Sequence, residues 1–206
     1  MTNLQKRIIT SAIILPLSIF FVIKGGWFLS FFLIFVLFAG LSEVYVSFKK
    51  TVSILFLSLI LILSLFSIYH LSEKAEFLLY FAIAVTISSD VGGYIFGKIF
   101  KWKKLTKISP NKTLSGVFGS YLFSIICLFV WIELISTNLQ VNIKAFLITV
   151  IFSTVAQIGD LVISYFKRLE KIKDTGKILP GHGGIFDRID GLMFVVIAAT
   201  IYYYLI

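Results

Sequence analysis

Long apolar segments recur along this chain, and they constrain its fold more than any other feature. Seven segments qualify, namely residues 8–23, 27–48, 52–71, 77–100, 114–135, 145–166 and 191–206. About 20 helical residues cross the ~30 Å hydrocarbon core of a bilayer. Only 14% of the residues are charged, whereas a soluble domain has about a quarter. The sequence therefore predicts an all-α fold, a polytopic transmembrane bundle of about seven helices.

The first two segments leave two arrangements open. The first segment is short and is joined to the second through Gly25-Gly26, so the two form either separate spans or a re-entrant pair. Basic residues precede the first segment, as in a signal peptide, but no small-residue cleavage site follows it. We therefore expect a retained helix.

The cationic residues are distributed unevenly between the two sets of loops. One set holds Lys6, Arg7, Lys49, Lys50, the cluster from Lys98 to Lys112 and the cluster from Lys167 to Arg188. The other set holds only Lys24, Lys74 and Lys144. The positive-inside rule then predicts that the N-terminus and both clusters are cytoplasmic. The net charge of +9 is therefore interpreted as attraction to anionic membrane lipids, with no nucleic acid as a partner.

Two aspartates lie inside predicted spans, Asp90 in the fourth and Asp160 in the sixth. An acid within a span is costly, and the default interpretation is functional. Each belongs to a stripe of polar or small residues at helical spacing, which keeps the stripe on one face of its helix. The stripes are Thr86, Asp90, Gly93 and Gly97, and Ser153, Gln157, Asp160, Ser164 and Lys167. Both stripes should face the bundle interior and place two carboxylates in one cavity. The alternative is an ion pair with Lys98 or Lys167 that only fixes helix packing.

The segment from Ser164 to Asp190 carries the densest charge. Asp187 and Asp190 open the last helix three residues apart, so they share a face and could hold one divalent cation together. The alternative is that these acids only complement the helix dipole. Before them, the glycine loop Pro180-Gly-His-Gly-Gly184 offers free backbone N–H groups to phosphates. His182 in this loop is interpreted as a phosphate contact or a structural residue.

Cations surround this loop on both sides. They are Lys167, Arg168, Lys171, Lys173, Lys177 and Arg188. Cations that hold a polyphosphate, together with carboxylates that hold its magnesium, are what phosphoryl or nucleotidyl transfer requires. In the other cytoplasmic loop, Lys112 and Thr113 offer a cation and a hydroxyl at the start of the next helix. That loop could equally rest on anionic lipid.

These motifs together resemble a known signature. Its fixed points are Ser164, Lys167-Arg168, Lys173-Asp174, Gly176, Leu179-Pro180, His182-Gly183-Gly184 and Asp187-Arg188-Ile189-Asp190. Three blocks precede it in the matching order, Ser89-Asp90 with Gly92-Gly93-Tyr94, Ser109-Pro-Asn-Lys-Thr113 and Gly159-Asp160. The pattern resembles that of the phosphatidate cytidylyltransferases, also called CDP-diacylglycerol synthases. The resemblance covers roughly Asp90 to the C-terminus, with departures at Leu114-Ser115 and Ile163.

The resemblance implies an activity and a role for each matching residue. The reaction would join CTP to phosphatidate, giving CDP-diacylglycerol and pyrophosphate, with Mg²⁺ as cofactor and room for a second cation. Asp160 and Asp187 would be the chief metal ligands, with Asp190 assisting, and Lys167 and Arg188 would complete the catalytic set. The substrate-binding residues would be Asp90, Ser109, Lys112, Thr113, Ser164, Arg168, Lys173, Asp174, His182, Gly183 and Gly184.

The resemblance also implies an organisation and a location. We expect a single integral-membrane domain over residues 1–206, with N-terminal hydrophobic helices in 1–76 and catalytic helices and cytoplasmic loops in 77–206. We expect it in the bacterial cytoplasmic (inner) membrane, with its active site facing the cytoplasm. Its partners would be CTP, phosphatidic acid and membrane lipids, and a homodimer is left open. The alternative function is a transporter that uses Asp90 and Asp160 as ion or proton sites. A carrier site belongs near the middle of the bilayer, which disfavours this alternative.

Overall fold

The structure of the protein is a computed structural model. It describes residues 3–106, 108–110, 112–134, 143–176, 178 and 183–205. Within these residues the chain forms seven α-helices, numbered α1 to α7 in chain order. They are Asn3–Lys24, Gly26–Ser47, Thr51–Lys74, Glu76–Phe100, Leu114–Leu134, Ile143–Leu169 and Phe186–Leu205. Each helix corresponds to one predicted apolar segment, so the predicted helical bundle is confirmed.

Six of the helices, α2 to α7, are long and apolar enough to cross a membrane. In α1 the corresponding apolar part is Ala12–Lys24. Many large apolar side chains on the helices point outward, including Trp27, Phe31 and Phe38. This exposure is expected of surfaces that face lipid, and the chain is an integral membrane protein.

The break between α1 and α2 has a local cause in the backbone. Gly25 has φ 60° and ψ −161°, a region that is essentially restricted to glycine. Gly26 also has a positive φ, of 51°. The two glycines therefore end one helix and start the next within a single residue, and the first two apolar segments form two separate helices.

Helix α7 contacts α3, α4 and α6. The other main pairings are α2 with α3, α4 with α5, and α5 with α6. Two apolar clusters fill the interior. One includes Leu79, Phe152 and Val196, and the other includes Leu61 and Met193. Since the second cluster joins α2 and α3 to α6 and α7, the N-terminal helices pack directly against α6, which carries one of the polar stripes, and against α7.

Helices α4 and α5 approach each other very closely. A Cβ atom on Gly92 would collide with the backbone oxygen of Gly119, and one on Gly119 would collide with the backbone oxygen of Gly92. Small residues at such a crossing let two membrane helices pack backbone to backbone. This contact sets the distance between Asp90 on α4 and the loop that leads into α5.

Candidate active site

A polar cavity of about 350 Å³ opens where α4, α5, α6 and α7 meet the loop before α5. Its walls include seven predicted site residues, Asp90, Ser109, Lys112, Thr113, Asp160, Asp187 and Asp190. The sequence placed Asp90 and Asp160 in one cavity, and the structure confirms this. Four carboxylates from three helices therefore surround one water-accessible volume.

The polar stripe on α6 faces the interior as predicted. Ser153, Ser164 and Lys167 are buried, while Gln157 and Asp160 line the cavity. The Ser164 hydroxyl donates to Oδ1 of Asp160 at 3.3 Å. The stripe therefore supplies both a wall of the cavity and a hydroxyl that orients one of its carboxylates.

The partner of Asp160 differs from the lysines named in the sequence-based alternative. Nζ of Lys112 lies 2.7 Å from Oδ2 of Asp160 and donates to the backbone oxygen of Gln157 at 3.1 Å. Lys98 lies instead over the ring of Tyr94, 5.6 Å from its centroid. Lys112 reaches the cavity because the loop before α5 folds back, with Leu105 N donating to Lys112 O at 2.8 Å.

Asp187 forms the most buried ion pair of the site. Nζ of Lys167 lies 2.8 Å from its Oδ1, and the two side chains are only 10% and 7% exposed. Its Oδ2 accepts two backbone N–H groups, from Thr175 at 2.8 Å and Gly184 at 3.1 Å. Gly183, at φ 90°, turns the chain just before this contact. Asp187 is thus fixed by donors from α6 and from both parts of the loop before α7.

The remaining carboxylates add negative charge to the cavity. Asp90 and Asp190 line the same cavity as Asp160, so their like charges repel one another. Lys112 offsets this repulsion at Asp90, and Lys167 offsets it at Asp190. Clustered acids that repel each other inside a membrane protein form a cavity that attracts cations.

Other predicted site residues lie at the rim or outside the cavity. Arg168 donates from Nε to Ile108 O at 3.4 Å and from Nη1 to Ile172 O at 3.0 Å, so it ties the two charged loops together. Lys173, Asp174 and Arg188 are exposed. His182 lies outside the described residues.

The donor set of the cavity suits a hard divalent cation. Mg²⁺ prefers oxygen ligands and is usually held by one or two carboxylates together with substrate phosphates and water. Among the described residues, no three acidic, histidine or cysteine side chains come close enough to enclose a metal ion by themselves. With so few protein ligands together, the cavity suits a cation that brings phosphate and water ligands with it. The lysines beside Asp160 and Asp187 would attract those phosphates.

One acid near the site was missed by the sequence analysis. Glu43, on α2, is 3% exposed and accepts hydrogen bonds from the backbone N–H groups of Ile185 at 2.8 Å and Phe186 at 3.2 Å. The signal that selected Asp90 and Asp160, an acid within an apolar segment, applies equally to Glu43. Ser47 stands one helical turn further along α2, but Glu43 lies before Asp90, where the resemblance begins.

The fold and the cavity together define a polytopic helical membrane protein with a carboxylate-lined, lysine-paired site at one end of its bundle. Residues 45–206 match the model of the Cytidylyltransferase family. The chain belongs to this family.

Several curated proteins are similar to the chain over part of its length. The phosphatidate cytidylyltransferase of Staphylococcus haemolyticus (strain JCSC1435) is 44% identical over 126 residues, which cover 61% of this chain and 48% of that protein. That of Staphylococcus epidermidis (strain ATCC 12228 / FDA PCI 1200) is 43% identical over 131 residues, 62% and 50% of the two chains. That of Staphylococcus aureus (strain COL) is 44% identical over 126 residues, 61% and 48%. The chain spans about half the length of the curated relatives it matches.

Proposed function

We propose that this protein is a phosphatidate cytidylyltransferase that converts CTP and phosphatidate to CDP-diacylglycerol and pyrophosphate. The observation that carries the proposal is the cavity that Asp90, Asp160, Asp187 and Asp190 line together with Lys112. The family match and the names of the similar phosphatidate cytidylyltransferases support it.

The position of the cavity suits substrates from two phases. Its walls combine the loop residues Ser109 and Thr113 with helix residues such as Asp90 and Tyr94. The Tyr94 side chain is largely exposed, so this wall of the cavity is open. A water-borne nucleotide would enter past the loop, and a lipid phosphate would arrive between helices at the headgroup level.

The reaction requires one bond to form and one to break. A phosphate oxygen of phosphatidate attacks the α-phosphorus of CTP, and the bond from that phosphorus to the β-phosphate oxygen breaks, so that pyrophosphate leaves. Lys112, paired with Asp160 at the cavity wall, and Lys167, paired with Asp187, supply positive charge for the phosphates. Fixed charges aimed at the developing negative charge lower the barrier most where water is excluded. Since the attacking phosphate is already an anion, no general base is needed.

Asp160 and Asp187, assisted by Asp190, are proposed to hold Mg²⁺. The ion would neutralise charge on the phosphates and orient them for displacement. The Ser164 hydroxyl on Oδ1 of Asp160 and the two backbone N–H groups on Oδ2 of Asp187 would keep both carboxylates in place.

The proposed location is the bacterial cytoplasmic membrane with the cavity facing the cytoplasm. The two cation-rich loops lie at the same end of the bundle, since Arg168 at the end of α6 contacts Ile108 in the loop before α5. The positive-inside rule places such an end in the cytoplasm, where CTP is available.

The test is a transfer assay with the purified protein in detergent. Phosphatidate, CTP labelled in the cytosine ring and Mg²⁺ should yield labelled lipid and pyrophosphate in equal amounts, and a chelator should stop the reaction until Mg²⁺ is restored. Labelled CTP that remains entirely water-soluble, with protein that is monodisperse and folded, would contradict the proposal. The transporter alternative predicts instead an ion-gradient-dependent uptake into vesicles without CTP.

A further inference from the structure

Glu43 lies outside the cavity and has no role in the site described so far. It is on α2, two residues before the region that matches the family, and it is nearly completely buried. A buried carboxylate is strongly destabilising unless hydrogen-bond donors surround it. The groups that donate hydrogen bonds to Glu43 therefore indicate its role in the structure.

All of these donors belong to the loop before α7 and to the first residue of α7. Oε1 accepts the N–H of Ile185 at 2.8 Å. Oε2 accepts the N–H of Phe186 at 3.2 Å and the hydroxyl of Thr175 at 3.4 Å. Glu43 thus caps the N-terminus of α7 from another helix, where a negative charge also complements the helix dipole.

The loop backbone is packed directly against this carboxylate. A Cβ atom on Gly176 would lie 2.7 Å from Oε1 of Glu43, and one on Gly184 would lie 2.6 Å from Oε2. Side chains at these two positions would push the loop away from α2. The glycines therefore allow the contact, and the contact in turn fixes the loop.

The same loop segments hold Asp187. The N–H groups of Thr175 and Gly184 point to Oδ2 of Asp187, and the next two N–H groups, of Ile185 and Phe186, point to Glu43. Consecutive amides are thus divided between two carboxylates. Because Glu43 fixes this backbone, Oδ2 of Asp187 stays engaged and Oδ1 stays directed toward Lys167.

Neighbouring residues of α2 and α3 add further anchors. The Ser47 hydroxyl donates to the backbone oxygen of Thr175. At the start of the loop, Glu170 accepts the N–H of Lys50 at 3.0 Å and the hydroxyl of Ser53 at 2.9 Å. The end of α2 and the start of α3 therefore hold the loop at Glu170 and at Thr175, on either side of residues 171–174.

We propose that Glu43 is a positioning residue of the site. It acts through the backbone of residues 175 and 184–186 to hold the Asp187 carboxylate in its working orientation, so the hydrophobic helix α2 helps to set the geometry of the site. The catalytic part of this statement rests on the proposed function, whereas the coupling of Glu43 to the loop does not.

The experiment compares Glu43→Gln with a matched control, Ser42→Ala. The glutamine has the same shape, but its –NH₂ group faces an N–H donor and loses that hydrogen bond. The control removes the adjacent hydroxyl, which is exposed and donates to Ala39 O in its own helix at 2.7 Å. Two readouts are taken on the full chain in detergent. The first is the rate of trypsin cleavage between residues 171 and 188, and the second is the set of kcat, KM for phosphatidate and the Mg²⁺ concentration for half-maximal activity.

Glu43→Gln should be cut faster in this loop and should lower kcat about 10–100-fold, the size of effect typical of residues that orient metal ligands. The Mg²⁺ requirement should rise, while KM for phosphatidate stays near the wild-type value. Ser42→Ala should match the wild type in every measurement. Should Glu43→Gln fail to fold, Ser47→Ala removes a single loop anchor and should change both readouts in the same direction by a smaller factor.

Two results would overturn the role of Glu43, and a third would overturn the proposed activity instead. A folded Glu43→Gln variant with wild-type cleavage, kcat and Mg²⁺ dependence overturns the positioning role. So does a variant that melts at a lower temperature but keeps wild-type kcat and Mg²⁺ dependence, since that is a merely structural effect. A wild-type protein that makes no labelled lipid overturns the proposed function, and the trypsin comparison then still decides whether Glu43 holds the loop.

Discussion

The close crossing of α4 and α5 makes Gly92→Ala a sharp test of the structure. The added Cβ would lie 2.7 Å from the Cβ of Phe123 and 2.8 Å from the backbone carbon of Gly119. Non-bonded carbons prefer about 3.5–4.0 Å, so the helices would have to separate by about 1 Å. Much of the obstacle is backbone on the facing helix, which cannot rotate away.

The expected magnitude follows from two opposing effects. Overpacking a close contact costs about 1–3 kcal/mol, and a backbone obstacle favours the upper end. Replacing glycine by alanine in a helix raises the free energy of unfolding by about 0.5–1 kcal/mol, because alanine loses less conformational entropy on folding. The net loss is therefore about 2 kcal/mol, which for a chain of this size lowers Tm by about 4–8 °C.

The control for this variant is Gly97→Ala on the same helix. There the new Cβ would lie 3.2 Å from Oγ1 of Thr113 and 3.9 Å from Cα of Gly116. A hydroxyl can shift by a few tenths of an ångström, so the change should be close to neutral. Both variants are compared with the wild type by thermal unfolding in one detergent. If Gly92→Ala melts at or above the temperature of Gly97→Ala, the close crossing is wrong.

Three further predictions concern the site and its supports. Asp187→Ala should lower CDP-diacylglycerol formation by at least about 100-fold with membrane insertion intact, and wild-type turnover would refute its role. Lys112→Met breaks the pair with Asp160 and should reduce kcat/KM for CTP by at least about 10-fold, measured in the same assay; an unchanged value would remove Lys112 from phosphate binding. At Glu170, the little burial present acts to raise the pKa, but hydrogen bonds from Lys50 N and the Ser53 hydroxyl lower it overall. A lowered pKa contributes stability that is present at neutral pH and lost as the pH falls below about 4.3. The Tm difference between wild type and Glu170→Gln should therefore shrink at acidic pH. A Tm difference that grows on acidification would contradict this account.

The polar stripe on α6 shows what local sequence patterns can predict about the site. The spacing of Ser153, Gln157, Asp160, Ser164 and Lys167 fixes which face of the helix they share, since the period of an α-helix is a local property. Their inward direction follows because polar groups are unfavourable in lipid. The structure confirms both points, with three of these residues buried and two lining the cavity.

Local sequence patterns could not predict which lysine pairs with which aspartate. Asp160 is joined to Lys112, 48 positions earlier, and not to Lys167, which lies on its own stripe and pairs with Asp187. Several lysines carry the same charge and similar reach, so the sequence offers no basis for choosing among them. The choice depends on how the loop before α5 folds over the end of α6.

The sequence by itself thus determined the helical bundle, the inward faces of its polar stripes and the family of its charged motifs. These rest on local periodicity, on the cost of polar groups in lipid and on residues close together in the chain. Only the tertiary structure decided that Glu43 of α2 caps α7 and that Gly92 and Gly119 bring α4 against α5. Such contacts join residues that are distant in sequence, and their energies exist only after the helices have packed.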